Sequence, residues 1–237
     1  MDRSRKLMLL GDFAVLMVAF IWGLCNVIIR DALEGVTPFV FCGLRFLIAW
    51  ITVSLFFGRR ALAMKPKARL NGIWTGMTFI CAYLVGAEAL LYTTAGNESL
   101  IIFMSVVFVP LFVWIITRKF PGWHVVLSVV LCTIGLAGLV LDGNLTVNFG
   151  DLLAALSMLF VTIYILLVRR FVEDSDPFGL SCWQAFGGMI LAAAAALIFE
   201  PFPEYIDGRA WAAIIFAGTV GFALTLVLPT VAQKSTP

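Results

Sequence analysis

Charged residues are scarce in this chain, and their scarcity excludes an ordinary soluble protein. Asp, Glu, Lys and Arg make up 13% of the 237 residues, whereas hydrophobic residues make up 62%. Soluble globular domains carry about 25% charged residues. The composition is typical of an integral membrane protein, so the lipid bilayer is the first predicted partner.

Residues suited to metal, redox or hydrolytic chemistry are also few. His124 is the only histidine, so a metal site built from several histidines is excluded. The five cysteines lie in predicted helices without a Cys-x-x-Cys spacing, and we interpret them as small packing residues. Neither a Walker A motif nor Gly-x-Ser-x-Gly occurs, which argues against ATP hydrolysis and against an integral membrane enzyme. We predict no catalytic residue, no metal and no cofactor.

The sequence contains instead a series of long hydrophobic runs. A transmembrane helix needs about 20 apolar residues, and eight runs approach that length. The predicted spans are 12–30, 38–57, 70–93, 98–117, 123–141, 151–168, 178–199 and 210–232. The predicted fold class is therefore an all-α integral membrane protein whose spans are joined by short connections.

The basic residues are distributed unequally between the predicted loops. With a cytoplasmic N-terminus, thirteen of the sixteen Lys and Arg residues fall in cytoplasmic segments, while the outer loops are mainly acidic. This bias follows the positive-inside rule and predicts a multi-pass protein of the cell (inner) membrane. We interpret the basic loop 58–70 as a topology signal, so no nucleic acid is predicted as a partner.

One length of the chain recurs further on without a gap. The matched positions are Gly11 with Gly150, Asp12 with Asp151, Arg30 with Arg169, Glu34 with Glu173, Pro38 with Pro177 and Phe39 with Phe178. They mark a helix entry, a charged helix exit and a proline that opens the next helix. If five crossings separate the copies, the second copy enters the membrane from the opposite side. Inverted repeats of this kind are typical of secondary transporters.

The sequence resembles the EamA-like branch of the drug/metabolite transporter superfamily. The residues that carry the resemblance are Ile21-Trp22-Gly23, Asn26, Arg30, Pro38, Leu44-Arg45-Phe46, Gly135, Gly138 and Gly150-Asp151-Leu-Leu-Ala-Ala-Leu. The resemblance implies a helical bundle of two inverted five-helix repeats around a central substrate cavity, which works by alternating access. Family members export or import small metabolites or drugs across the bacterial inner membrane. Arg118-Lys119 stands where the family often has an acidic residue.

The second repeat is shorter than the first. Residues 1–145 hold five predicted spans and residues 146–237 hold three. In the repeat, Glu98 corresponds to Pro237, so two further helices are expected, and either a truncated sequence or a reduced eight-helix variant explains the difference. A bundle lacking two helices exposes a groove, and a homodimer that fills it is one expectation.

Two ionisable residues, Arg45 and Glu88, fall well inside predicted spans. Such residues are expensive in lipid and mark functional sites by default. Arg45 lies about 10 Å and Glu88 about 8 Å from the outer end of its span, at 1.5 Å per residue, so a salt bridge between them is feasible. If Glu88 instead faces the cavity without a partner, it becomes a proton-coupling residue. Both alternatives stay open.

Further polar and aromatic residues are candidates for substrate binding. Trp22 and Asn26 share one face of the first helix, and Asn26 needs either an interhelical partner or a polar substrate. Tyr83 and Gln184 are weaker candidates, and Gln184 occupies in the second repeat the position of Arg45 in the first. Pro110 is expected to kink the fourth span and to act as a hinge.

The glycines also predict where helices pack closely. Without a hydrophobic drive between helices in lipid, small residues let two backbones approach. The candidates are Gly72-x-x-x-Gly76, Gly135 with Gly138, Gly187-Gly188 and Ala217-x-x-x-Gly221.

These observations favour a secondary transporter of a small metabolite or drug-like compound. Export and proton coupling are expectations by analogy with the family. The alternatives are a non-transporting membrane subunit, an inactive fragment lacking two helices and, less favoured, an integral membrane enzyme.

Overall fold

The computed structural model describes residues 16–17, 20–21, 23–25, 27–140, 148–201, 203–224, 226–228 and 230. The regular structure of these residues is helical. The first helix, α1, is described at 16–17, 20–21, 23–25 and 27–32. The helices that follow are α2 (Pro38–Ala63), α3 (Pro66–Ala89), α4 (Ala95–Phe103), α5 (Ser105–Thr117), α6 (Trp123–Val140), α7 (Phe149–Val172), α8 (Pro177–Phe199) and α9 (Gly208–Phe216), and α9 continues into a π-helical segment (Ala217–Leu224).

Among the described residues, six helical stretches are long and apolar enough to cross a membrane. They are Pro38–Ala63, Pro66–Ala89, Ala95–Thr117, Phe149–Val172, Pro177–Phe199 and Gly208–Leu228. The predicted fifth span coincides with α6, whose apolar part counted over the described side chains, Trp123–Gly135, is shorter than a span. Much of the predicted first span lies outside the described residues. The all-helical membrane class is therefore confirmed, and the count of eight spans stays a prediction.

The helix starts follow from local sequence. Pro38 and Pro177 occupy the first turns of α2 and α8, where the missing proline N–H leaves no hydrogen bond unmade. The Asp176 carboxylate accepts a hydrogen bond from the Gly179 N–H at 2.8 Å. The Asp207 carboxylate caps α9 in the same way, since it accepts a hydrogen bond from the backbone of a first-turn residue at 2.7 Å. These caps satisfy N–H groups that have no partner inside a helix.

The chain divides into two compact units. The first unit comprises 1–80 and 168–237, and the second comprises 81–167. Two helices, α3 and α7, contribute one part to each unit. This division differs from the predicted repeats, 1–145 and 146–237, which stay a prediction.

The first unit is built on α2 and α8, which pack against each other in antiparallel directions along their length. Aromatic pairs mark the contact. In order from one end, they are Phe57–Phe178, Trp50–Phe186 and Phe39–Phe199, with ring centroids 4.7, 5.5 and 5.9 Å apart. The positions that correspond in the predicted repeat therefore lie on two neighbouring helices that run in opposite directions.

Helix α3 lies in backbone contact with α8. A methyl group placed on Gly76 would overlap the backbone of Gln184, and one placed on Gly187 would overlap the backbone of Ile73. Only glycine permits this approach. The predicted close packing at these two glycines is confirmed. At Gly135 no atom of the described residues lies within 4 Å of an added methyl group, and close packing there stays a prediction.

The second unit joins the end of α3 to α4, α5, α6 and most of α7. The Thr93 hydroxyl donates a hydrogen bond to the Asp151 carboxylate at 2.7 Å, and the Ser157 hydroxyl donates one to the Ala82 carbonyl at 2.8 Å. These bonds fix α7 against α3. Helix α4 ends and α5 begins at Met104, six residues before Pro110. The kink and the hinge expected at Pro110 stay predictions.

Candidate functional site

Arg45 is the largest fully buried side chain in the described part of the chain. It is 1% exposed and is the eighth residue of α2, about 10 Å from the start of the helix. A charge this deeply buried is expensive to maintain, so Arg45 is a functional candidate rather than a surface residue.

The π-helical segment packs directly on α2 at Arg45. A methyl group on Gly218 would lie 2.8 Å from the Arg45 carbonyl oxygen, and one on Gly221 would lie 2.5 Å from the Cys25 sulfur. π-Helical turns are rare and occur frequently at functional sites. The sequence predicted close packing at Gly221, but no sequence pattern distinguished a π-helix from an α-helix there.

Gln184 is the corresponding buried residue of α8. It is 0% exposed and is the eighth residue of its helix. The Thr230 hydroxyl donates its hydrogen to the Leu226 carbonyl at 2.8 Å and lies 3.5 Å from the Gln184 side-chain oxygen. The Gln184 side-chain nitrogen has no hydrogen-bond partner among the described residues. Because α2 and α8 are antiparallel, Arg45 and Gln184 lie near opposite ends of the helix pair.

Polar contacts join α2 and α8 at both ends. At one end, the Glu200 carboxylate accepts hydrogen bonds from the N–H groups of Phe39 and Val40, at 3.0 and 2.9 Å. At the other end, the Trp183 indole N–H donates to the Ala61 carbonyl at 3.0 Å. An ion pair between Arg60 and Asp176, 3.8 Å apart, adds to this second end.

The second unit contains a buried acidic residue, Glu98. It is 4% exposed and lies in the first turn of α4. A methyl group on Gly86 of α3 would lie 3.1 Å from a Glu98 carboxyl oxygen and 3.2 Å from the Ser157 hydroxyl oxygen of α7. Three helices therefore meet at the Glu98 carboxyl group.

Glu98 is the first residue of the predicted span 98–117, and the sequence pattern did not predict its burial. The signal that could have found it is the helix start. The Thr94 hydroxyl accepts a hydrogen bond from the Asn97 N–H at 3.1 Å, so the helix begins before Glu98 and carries it into the bundle. Threonine three residues before asparagine is a weak signal, because both residues are also common in turns.

Glu88, the acidic residue selected from the sequence, is less buried than Glu98. It is partly exposed, and its carboxylate accepts a hydrogen bond from Tyr92 one turn later, at 3.5 Å. Tyr83 is half-buried on the same helix. Arg45 belongs to the first unit and Glu88 to the second, and the predicted pairing between them stays a prediction.

Comparison with known proteins decides the family. The model of the EamA-like transporter family matches residues 9–141 and 148–237. The chain belongs to the EamA-like transporter family.

A curated relative of this EamA-like protein is an uncharacterized transporter from Archaeoglobus fulgidus. The two are 29% identical over 189 residues, which cover 80% of this chain and 58% of the relative. The chain thus matches little more than half of the length of that protein. A solved crystal structure is similar to 95% of this chain and to 79% of its own, with a TM-score of 0.69 and 20% identity. At that identity the similarity shows the fold alone.

Membership of the EamA-like family is consistent with the motif around Arg45 but adds nothing about the other predicted site residues. Trp22 and Asn26 lie outside the described residues. Pro110 lies inside α5 and is half-buried. The residues that the structure does place deep in the protein are Arg45 and Gln184 in the first unit and Glu98 in the second.

A cavity of about 750 Å³ opens in the first unit of this EamA-like protein, beside the end of α1 and the start of α9. Its charged lining residues are Asp31, Glu34, Asp207 and Arg209. By the predicted topology this cavity lies at the outer face. A second cavity of about 460 Å³ lies beside Arg60, Lys65 and Asp176.

Proposed function

We propose that this protein is a secondary transporter that moves a small metabolite or drug-like compound across the cell membrane by alternating access. The observation that supports it is the placement of Arg45 and Gln184. Both are fully buried polar side chains at corresponding positions of α2 and α8. Polar side chains are retained inside a membrane bundle where they serve a substrate or ion pathway.

The proposal includes an inverted repeat with eight spans in this chain. The antiparallel packing of α2 on α8 supports it, because an inverted repeat requires corresponding helices to run in opposite directions. The two separate matches to the family model, over 9–141 and 148–237, support a division near residue 145. Alternating access then corresponds to a movement of one repeat against the other.

In this proposal Arg45 and Gln184 contact the transported compound. Arg45 supplies a charged donor and Gln184 supplies a buried amide whose nitrogen has no partner among the described residues. An unsatisfied buried donor costs about 1–3 kcal/mol, and a substrate oxygen that accepts from it recovers this free energy. Tyr83, Glu88 and the undescribed Trp22 and Asn26 complete the proposed set of substrate and coupling residues.

Export as the direction and proton coupling are also proposed. Both are carried over from the family resemblance, since the fold alone does not dictate them. The description of the family and of the archaeal relative as transporters favours transport over catalysis. A homodimer stays a prediction.

The proposed topology places the N-terminus in the cytoplasm. Single cysteines at Lys67 and at Glu204, both exposed, test it with a membrane-impermeant thiol reagent on intact cells. We expect labelling of the Glu204→Cys variant alone. Labelling of the Lys67→Cys variant alone would reverse the orientation.

The central experiment measures ligand binding and transport together. The purified protein is screened against a panel of small metabolites and drug-like compounds for an increase in melting temperature, because a ligand present at 100 times its Kd stabilises by about 2.7 kcal/mol. Each hit is then followed by counterflow in proteoliposomes. We expect at least one compound to stabilise the protein and to be exchanged.

The matched variants are Gln184→Met, which removes the amide, and Trp74→Phe, which alters an exposed side chain of the same unit. Loss of binding in Gln184→Met, with binding kept in Trp74→Phe, supports the proposed site. A compound that binds but is never exchanged would indicate a non-transporting membrane subunit instead.

A further inference from the structure

We propose that the carboxyl group of Glu98 is the proton-binding site of this protein, in place of Glu88. The inference rests on the proposed transport function and names the residue through which proton coupling acts. In the step itself, the Glu98 carboxylate takes up a proton from one side of the membrane and forms an O–H bond. It later releases the same proton to the other side, and no electrons are transferred.

Glu98 differs from the other acidic residues described in the second unit in how deeply its side chain is buried. Glu98 is 4% exposed, whereas Glu88 is only partly buried and accepts a hydrogen bond from Tyr92 in the turn that follows α3. Asp151 accepts hydrogen bonds from the Thr93 hydroxyl and from the Asn148 N–H. A carboxyl group can be buried at far lower cost with its proton than without it.

The titratable groups on the elements that pack around Glu98 are few. On the parts of α3 and α7 that belong to the second unit, and on the turn that follows α3, they are Cys81, Tyr83, Glu88, Tyr92, Asp151 and Tyr164. None of these six side chains is a permanent cation. The basic residues of these two helices, Lys67, Arg69, Arg169 and Arg170, belong to the first unit. The basic residues described in the second unit, Arg118, Lys119 and His124, follow the far end of α5, about 30 Å along the span from Glu98 at 1.5 Å per residue.

Gly86 makes the position of the Glu98 carboxyl group possible. A methyl group at Gly86 would lie 3.1 Å from the Glu98 oxygen and 3.2 Å from the Ser157 oxygen, closer than ordinary van der Waals contact. The Ser157 hydroxyl already donates its hydrogen to the Ala82 carbonyl, so its oxygen is left as an acceptor. A protonated carboxyl group needs an acceptor of this kind.

The carboxyl group thus lies where movement between helices would change its exposure. It is carried by α4, and the groups that border it belong to α3 and α7. A small separation of these helices would admit water to Glu98 and favour the charged form. Closure would favour the protonated form, which is the alternation that a coupling residue requires.

The test is an infrared pH titration of the purified protein in lipid, which needs no transported compound. A protonated carboxyl group gives a C=O stretching band that shifts in heavy water. We expect a band of this kind that titrates in the wild type and in Glu88→Gln, and that is lost in Glu98→Gln. A titrating band that persists in Glu98→Gln, or that is lost in Glu88→Gln, overturns the assignment.

A second variant keeps the inference testable if Glu98→Gln does not fold. Ser157→Ala removes the acceptor oxygen beside Glu98 and leaves both acidic residues in place. We expect the midpoint of the carboxyl titration to shift in Ser157→Ala relative to the wild type. An unchanged midpoint would contradict the inference.

The outcome separates the two proposals of function. If the titrating band belongs to Glu98 but no compound is exchanged in proteoliposomes, the proton site stands and transport fails. If compounds are exchanged with the same dependence on a pH gradient in wild type and in Glu98→Gln, transport stands and the role of Glu98 in coupling is refuted.

Discussion

The Glu200 carboxylate accepts a hydrogen bond from the Val40 N–H at 2.9 Å, although the two residues are 160 positions apart in the sequence. The same oxygen also accepts from the Phe39 N–H. A residue that follows α8 therefore caps the N-terminus of α2. An anion at that end also interacts favourably with the helix dipole, so the contact joins the two helices as well as ending one of them.

Removal of this cap should destabilise the protein. Glu200→Ala leaves two N–H groups of α2 without their acceptor, and we expect a loss of about 1 kcal/mol of unfolding free energy. Melting of the purified protein measures it. The control is Glu204→Ala, an exposed acidic residue in the same loop, which should have no effect. Equal losses in both variants would show that Glu200 acts only through surface charge.

The contact of α3 with α8 should tolerate no side chain at Gly76. Gly76→Ala forces a methyl group into the backbone of Gln184, and we expect a loss of about 1–3 kcal/mol, the usual cost of overpacking. Gly58→Ala is the matched control, because no atom of the described residues lies within 4 Å of a methyl group there. That variant should gain about 0.5–1 kcal/mol from its better helix propensity.

A measurement of unfolding free energy in mixed micelles distinguishes the two variants. We expect the unfolding free energy to fall in Gly76→Ala and to rise in Gly58→Ala. A neutral Gly76→Ala would mean that α3 and α8 do not touch at this level.

The indole N–H group of Trp183 should contribute to the stability of the protein. Trp183→Phe keeps an aromatic ring against Phe186 but removes the indole N–H that donates to the Ala61 carbonyl at 3.0 Å. We expect a loss of about 1 kcal/mol. Trp74→Phe, at a tryptophan that is 59% exposed, should change the melting temperature little. A larger loss of stability in Trp74→Phe than in Trp183→Phe would contradict the stabilising role of the Trp183 N–H group.

We expect Gln184 to lower the stability of the protein and to contribute to binding of the transported compound. Its side-chain nitrogen is buried without a partner among the described residues, so Gln184→Met is expected to raise the unfolding free energy by about 1 kcal/mol. Binding of any transported compound should weaken in the same variant. A destabilised Gln184→Met would indicate that the amide is structural.

The parts of this structure that were predictable depend on neighbours in the sequence. Pro38 and Pro177 fixed the starts of α2 and α8 to within a residue, because proline suits the first turn of a helix and little else. Gly76 and Gly187 predicted close packing because a glycine inside a membrane helix rarely has another purpose. These signals are local, so they do not depend on which distant helices come into contact.

The parts that were missed depend on which distant helices meet. Glu98 looked like one of several acidic residues at a helix end, since its burial follows from the approach of Gly86 and Ser157. Glu200 looked like an ordinary outer-loop residue, since its partner precedes it by 160 positions. The π-helical segment left no pattern, because its residues suit an α-helix equally well.

The pairing of α2 with α8 implies a delay during synthesis between the insertion of one helix and the arrival of its partner. More than a hundred residues separate Ala63 from Pro177, and a ribosome that adds about 5–20 residues per second needs on the order of ten seconds to cover them. During that interval α2 is already in the membrane, and the N–H groups of Phe39 and Val40 lack the Glu200 carboxylate. Until α8 is synthesised, α2 therefore depends on temporary contacts with the insertion machinery or with the helices that were made earlier.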